Sequence, residues 1–128
     1  MKGVIAGLTL LLALPSLAAE RVISIGGDVT QIVYALGAQQ ALVARDSTSQ
    51  HPALAKRLPD IGYMRQLNAE GILALKPTLV LSSELAKPSL ALQQVAQAGV
   101  KVVEINGENS LAAIPKKIAA IGKALHRD

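Results

Sequence analysis

Tyr63 and Arg65 stand two residues apart in Gly62-Tyr63-Met64-Arg65, within a chain that has two Tyr, two His and no Cys, Phe or Trp. An ionised tyrosine is an anionic oxygen donor, and a nearby guanidinium or a bound ferric ion each favours that ionised form. Phenolate is a known axial donor to iron. In an extended segment residues i and i+2 share a side, so Arg65 can stand beside the same anion and hold it, or hold a carboxylate of a ligand. The same spacing also suits an ordinary loop tyrosine laid over a core. Residue types alone favour that packing reading over ligation.

Other chemically capable residues are less organised. Glu70 falls in the first turn of a short helix opened by Asn68, where a carboxylate complements the helix dipole for about 0.3–1 kcal/mol and needs no further role. His51 precedes Pro52 in a polar loop, and His126 lies near a helix end where a cation is favourable. With scattered carboxylates they do not make a zinc set. Nucleophilic hydrolysis lacks a nucleophile, because G-x-S-x-G and thiols are both missing. Gly26-Gly27 follows a strand and opens a helix, but the third glycine of a dinucleotide loop is absent and Asp28 would repel a pyrophosphate. The pair reads as a tight strand-to-helix turn.

The elements that must position these residues alternate along the chain. "RVISIGG" reads as a buried strand and "DVTQIVYALG" as a helix, with Asp28 as N-cap and Gly37 just past its end. "ALVARDS" is a second strand, Pro52 to Leu58 one or two helical turns, and Pro59 to Gln66 a loop. "NAEGILALK" forms a short helix stopped before Pro77, and "TLVLS" is an apolar run suited to a sheet covered on both faces. A helix with Pro88 near its start and Gly99 after its end leads to "VKVVEI", the fourth strand. Ser110 to Leu125 is the last helix, which Pro115 should kink or force to start later. Such alternation predicts an α/β fold, a three-layer sandwich with a short, mainly parallel sheet.

At the N-terminus, one Lys, an apolar run to Leu14, the Pro15 break and small residues at Ser16 and Ala18 have the layout of a secretory signal peptide over residues 1–19, cleaved near Ala18 or Ala19. Removing Lys2 lowers the net charge from +4 to +3. That modest, unclustered excess with almost no aromatics gives no support for nucleic-acid binding. An exported chain without disulfides or a lipid-anchor cysteine points to the periplasm.

Several stretches taken together are similar to the periplasmic haem-binding proteins of bacterial haem ABC importers. They are "SIGGDVTQIVYALGA", "VARDSTS", "LPDIGYMRQLNAEGILALKPTLVL", "KPSLALQQVAQAGVKVV" and "AAIPKKIAAIGKALH". The wider group includes cobalamin- and siderophore-binding proteins. The most specific element is G-Y-M-R-x-L-x-A-E-G, supported by A-R-D-S-T-S. The resemblance implies one lobe of a bilobal binding protein, with residues 20–128 as the N-terminal haem-binding lobe and both the linking helix and the second lobe beyond this chain. It implies ferric haem as the transported ligand, Tyr63 as axial iron ligand and Arg65 as support for the phenolate. Arg45 is expected to touch haem or a propionate, and Glu70 to dock onto arginines of an inner-membrane ABC permease. An outer-membrane haem receptor would act upstream in the same iron uptake route, and no reaction would be catalysed. Pro115 departs from the polar residue usual there. The competing readings are a siderophore- or cobalamin-binding protein of the same class, or an exported enzyme fragment of Rossmann type.

Overall fold

A computed structural model describes residues 19–127. The expected signal segment therefore lies outside the described residues except for Ala19. Four strands, β1 (Val22–Ile25), β2 (Leu42–Arg45), β3 (Leu79–Ser83) and β4 (Lys101–Ile105), form one sheet in the order β2-β1-β3-β4, with every neighbouring pair parallel. Four helices, α1 (Gly27–Ala35), α2 (Ala69–Ala74), α3 (Leu90–Gln97) and α4 (Ala113–Ala124), complete the α/β architecture.

Side-chain alternation along the strands divides the core into two layers. Val22, Leu79, Leu81 and Ile105 pack with Val29 and Val33 of α1 and Ile121 of α4 on one face. Ile23, Ile25, Ala44 and Val80 pack with Ile72 of α2 and with Leu92 and Val95 of α3 on the other. Because both faces are covered, β1 and β3 can be apolar at consecutive positions, and both are buried throughout. Each large side chain so enclosed, such as the fully buried Ile72, contributes about 1.5–3 kcal/mol of apolar burial.

Local chemistry sets where the helices begin and end. Asn68 caps α2 by accepting the Gly71 N–H at 3.0 Å, and Ser89 caps α3 by accepting the Leu92 N–H at 3.1 Å. The carbonyls at the end of α2 are closed by Arg21, whose Nη2 donates to the Leu75 carbonyl at 2.8 Å and whose Nε reaches the Leu75 and Lys76 carbonyls at 3.1 Å. Pro115 does not kink the last helix. The helix starts at Ala113, so the proline falls in its first turn, where its missing N–H has no intrahelical partner to lose.

Asp28 is not the N-cap of α1; that position belongs to Gly26, at φ 112°. Only glycine occupies that conformation without strain, and a Cβ there would also stand 2.9 Å from Ser83 Cβ. Asp28 lies in the first turn instead, where Oδ2 accepts from Lys117 Nζ of α4 at 2.7 Å. The ion pair ties α1 to α4.

Candidate functional site

In an open parallel sheet ligands bind beyond the carboxyl ends of the strands, beside the point where successive connections diverge. The order β2-β1-β3 puts that point between β1 and β3. Around it converge Gly26 after β1, Asp46 to Ser49 after β2, and Glu84 and Leu85 after β3.

The rim is framed by a carboxylate that makes no ion pair among the described residues. Asp46 is fully buried. Its Oδ1 accepts the Gly26 N–H at 2.9 Å and the Ser49 hydroxyl at 2.7 Å, while Oδ2 accepts the Thr48 N–H at 3.2 Å and its hydroxyl at 2.7 Å. Ser49, Thr30 and Ser24 continue inward as a chain of hydroxyls with 2.6 Å separations. Four donors satisfy the buried charge without a cation. The same geometry argues against a phosphate at this turn, because the Gly26 N–H that would face it is already spent on Asp46.

Tyr63 stands just outside this frame. The chain returning from the turn at Ala53–Arg57 runs alongside β2, where Arg45 N–H donates to the Pro59 carbonyl at 3.0 Å and Ile61 N–H to the Arg45 carbonyl at 2.9 Å. Gly62 follows at φ 105°, a left-handed conformation suited to glycine, and turns the chain into Tyr63. The loop then closes as Gln66 N–H donates to the Tyr63 carbonyl at 2.8 Å. Tyr63 is 48% exposed, and among the described residues its hydroxyl has no hydrogen-bond partner. It is a half-exposed side chain on a hydrogen-bonded turn.

The other residues anticipated from the sequence separate into three places. Arg65 is exposed and its Nη1 donates to the Leu85 carbonyl at 3.3 Å, which ties the Tyr63 loop to the segment after β3. Arg45 has a side chain only 11% exposed. Its Nη2 donates to the Lys56 carbonyl at 3.0 Å, and its Nη1 lies 3.3 Å from Asp60 Oδ2. This guanidinium braces the loop from behind. Glu70 is exposed in the first turn of α2, beside a shallow groove shared with Leu90 and Gln94 of α3 that Tyr63 does not line. Among the described residues no cation pairs with Glu70.

Sequence reasoning missed Asp46, Asp60 and Leu85. The run Asp46-Ser47-Thr48-Ser49 held a signal, since short polar side chains commonly bond backbone groups two residues on. Leu85, 49% exposed beside the Tyr63 loop, had none: an isolated surface leucine is commonplace. Among the described residues no cluster of three or more His, Cys, Asp or Glu could hold a metal ion. No described helix is long and apolar enough to cross a membrane.

A family model described as periplasmic binding protein matches residues 22–128. The chain belongs to the periplasmic binding protein family. Within this family it is similar to a vitamin B12-binding protein of Yersinia pestis (strain Pestoides F), 41% identical over 92 residues that make up 72% of this chain and 33% of the relative. Among solved structures it is similar to the periplasmic heme-binding protein RhuT from Roseiflexus sp. RS-1, with TM-score 0.82 and 42% identity over 86% of this chain and 42% of that one. A periplasmic heme binding protein from Pseudomonas aeruginosa gives TM-score 0.79 and 40% identity over 84% of this chain and 39% of that one. The vitamin B12 binding protein BtuF of Vibrio cholerae gives TM-score 0.64 and 25% identity over 84% of this chain and 49% of that one. The chain spans about a third of the length of the curated relatives it matches. The four-stranded parallel sheet with its helices is that of a periplasmic binding protein lobe. These relatives are periplasmic substrate-binding proteins rather than enzymes.

Proposed function

We propose that residues 20–128 form the N-terminal ligand-contacting lobe of a periplasmic protein that takes up ferric haem through the Tyr63 phenolate and delivers it to an inner-membrane ABC permease. The observation that carries this reading is the half-exposed Tyr63, unpartnered at its hydroxyl and set on a loop whose backbone is fixed on both sides. Arg65 supplies positive charge two residues on, its Nη1 held by the Leu85 carbonyl after β3. Arg45 takes part by bracing the loop. Heme-binding neighbours at about 40% identity support the choice of ligand. The lobe covers one face of such a ligand, and the other would be met by the length that relatives carry beyond it.

Titration of the chain with hemin, followed by its visible spectrum, tests the assignment. A ferric tyrosinate band that Tyr63→Ala abolishes is the expected outcome. Should His51→Ala remove the band while Tyr63→Ala keeps it, the donor is misassigned. The second reading, a corrinoid ligand, is favoured by the vitamin B12-binding relatives. A parallel cyanocobalamin titration that saturates where hemin does not would establish it. Glu70 serves permease docking: its exposed carboxylate suits a cationic partner and stands beside a groove that Tyr63 does not line. Glu70→Ala is expected to abolish stimulation of permease ATP hydrolysis with hemin binding intact; full stimulation would remove Glu70 from this role.

A further inference from the structure

The contacts around Gly62 single out a residue that hydrogen-bonds the backbone immediately before Tyr63. Asp60 Oδ1 accepts the Gly62 N–H at 2.8 Å, and the Gly62 carbonyl accepts the Ser47 N–H at 2.9 Å. The residue immediately before Tyr63 is thus held at both of its polar groups. Asp60 is held in turn: the Ser47 hydroxyl lies 2.9 Å from Oδ1 and 3.1 Å from Oδ2, and Arg45 Nη1 lies 3.3 Å from Oδ2. Each neighbour of this carboxylate is a donor, so an acceptor-only side chain fits and an amide would turn its NH2 toward one of them. Every hydrogen bond of this carboxylate runs to the β2 end or to the loop backbone.

We propose that Asp60 is the positioning residue of this site, setting through Gly62 the orientation in which Tyr63 presents its oxygen. The proposal rests on the reading of Tyr63 as the iron donor. It separates two duties of one side chain. Oδ1 orients the loop through Gly62, whereas Oδ2 anchors it to Arg45. Asn at position 60 can keep the acceptor for Gly62 while giving up the ion pair, and Ala keeps neither. Loss of groups that orient a metal ligand typically lowers metal affinity about 10–100-fold.

Hemin binding and the tyrosinate-to-iron band are measured at saturation for Asp60→Ala, Asp60→Asn, Ser47→Ala and Tyr63→Phe, with unfolding midpoints recorded alongside. Asp60→Ala is expected to weaken hemin binding about ten-fold and to shift the band. Asp60→Asn is expected to keep the band position despite a lower midpoint, which a merely structural role would not produce. Ser47→Ala, which removes the hydroxyl between both Asp60 oxygens and leaves the backbone intact, should shift the band in the same direction and decides the matter if Asp60→Ala does not fold. A wild-type band and affinity in Asp60→Ala, or in Ser47→Ala where that variant decides, overturns the proposal. So does a band displaced equally by Asn and Ala. If Tyr63→Phe leaves band and affinity unchanged, the donor assignment falls and takes this proposal with it; if Tyr63→Phe abolishes them while Asp60→Ala changes nothing, the proposal alone fails.

Discussion

Replacing Asp28 by Ala would leave the Lys117 ammonium enclosed between α1 and α4 without its acceptor. The pair is short, 2.7 Å, and asymmetric: the lysine side chain is 7% exposed and the aspartate 42%. A charge-assisted hydrogen bond contributes about 1.5–3 kcal/mol, and stranding one member of a fully buried pair costs roughly 3–5 kcal/mol. Water reaches Asp28, which places this pair at the lower end, about 2 kcal/mol. Loss of a carboxylate from the first turn of α1 adds roughly 0.3–1 kcal/mol through the dipole. The sum, about 2–3 kcal/mol, corresponds to a melting temperature lower by roughly 10–15 °C for a domain of this size. Lys117→Met should cost less than about 1 kcal/mol, because it removes the buried charge, keeps the stem volume and leaves Asp28 to solvent. The double variant should resemble Lys117→Met, giving a coupling energy of about 2 kcal/mol in a double-mutant cycle. Urea unfolding followed by far-UV circular dichroism measures all three. An Asp28→Ala loss below about 0.5 kcal/mol, or a double variant as unstable as the two single losses combined, would refute a coupled pair at this position.

Two further perturbations test the frame of the site. Gly26→Ala forces a Cβ to within 2.9 Å of Ser83 Cβ at a positive φ, and should cost about 2–4 kcal/mol by thermal melting; a midpoint within 2 °C or so of wild type would contradict that close approach. Arg21→Ala uncovers the Leu75 and Lys76 carbonyls at the end of α2. Faster hydrogen exchange confined to the amides of α2, with global stability lowered by only about 1 kcal/mol, is the expected result, and uniform protection would show that the cap is dispensable.

The framework was legible in the sequence wherever one local rule sufficed. Apolar runs such as Leu79–Leu81 gave strands, Asn68 gave a cap and Gly37 a helix end, because each acts within a few residues of itself. Failures came where a partner distant in the chain decided the outcome. Asp28 read as an N-cap, yet it sits inside the first turn, with Oδ1 accepting the Val29 N–H and Oδ2 meeting Lys117, 89 positions later, and Gly26 takes the cap because Ser83 allows no side chain there. Arg45 was expected from the resemblance to touch the ligand, and what the sequence did not show is that the returning loop engages its guanidinium. Tyr63 was noticed by type and spacing and given a ligand role by the resemblance, but its exposure and the hydrogen bonds beside it emerged only from the pairing of Asp60 and Gly62 with the end of β2. The candidate donor stood out at the tip of the loop, whereas the groups that hydrogen-bond the loop were spread over residues 45–62 with no shared period.

The closure of the loop upon itself has a consequence for how such a lobe can change. Folding depends there on Asp60, Gly62, Ser47 and main-chain groups, while the side chain at position 63 has no internal duty among the described residues. Exchange of that one side chain therefore leaves the loop's own hydrogen bonds in place. A single codon can place imidazole, thioether or carboxylate where the phenol stands, so under the haem reading proposed above the donor can be exchanged without rebuilding the hydrogen bonds that hold the loop.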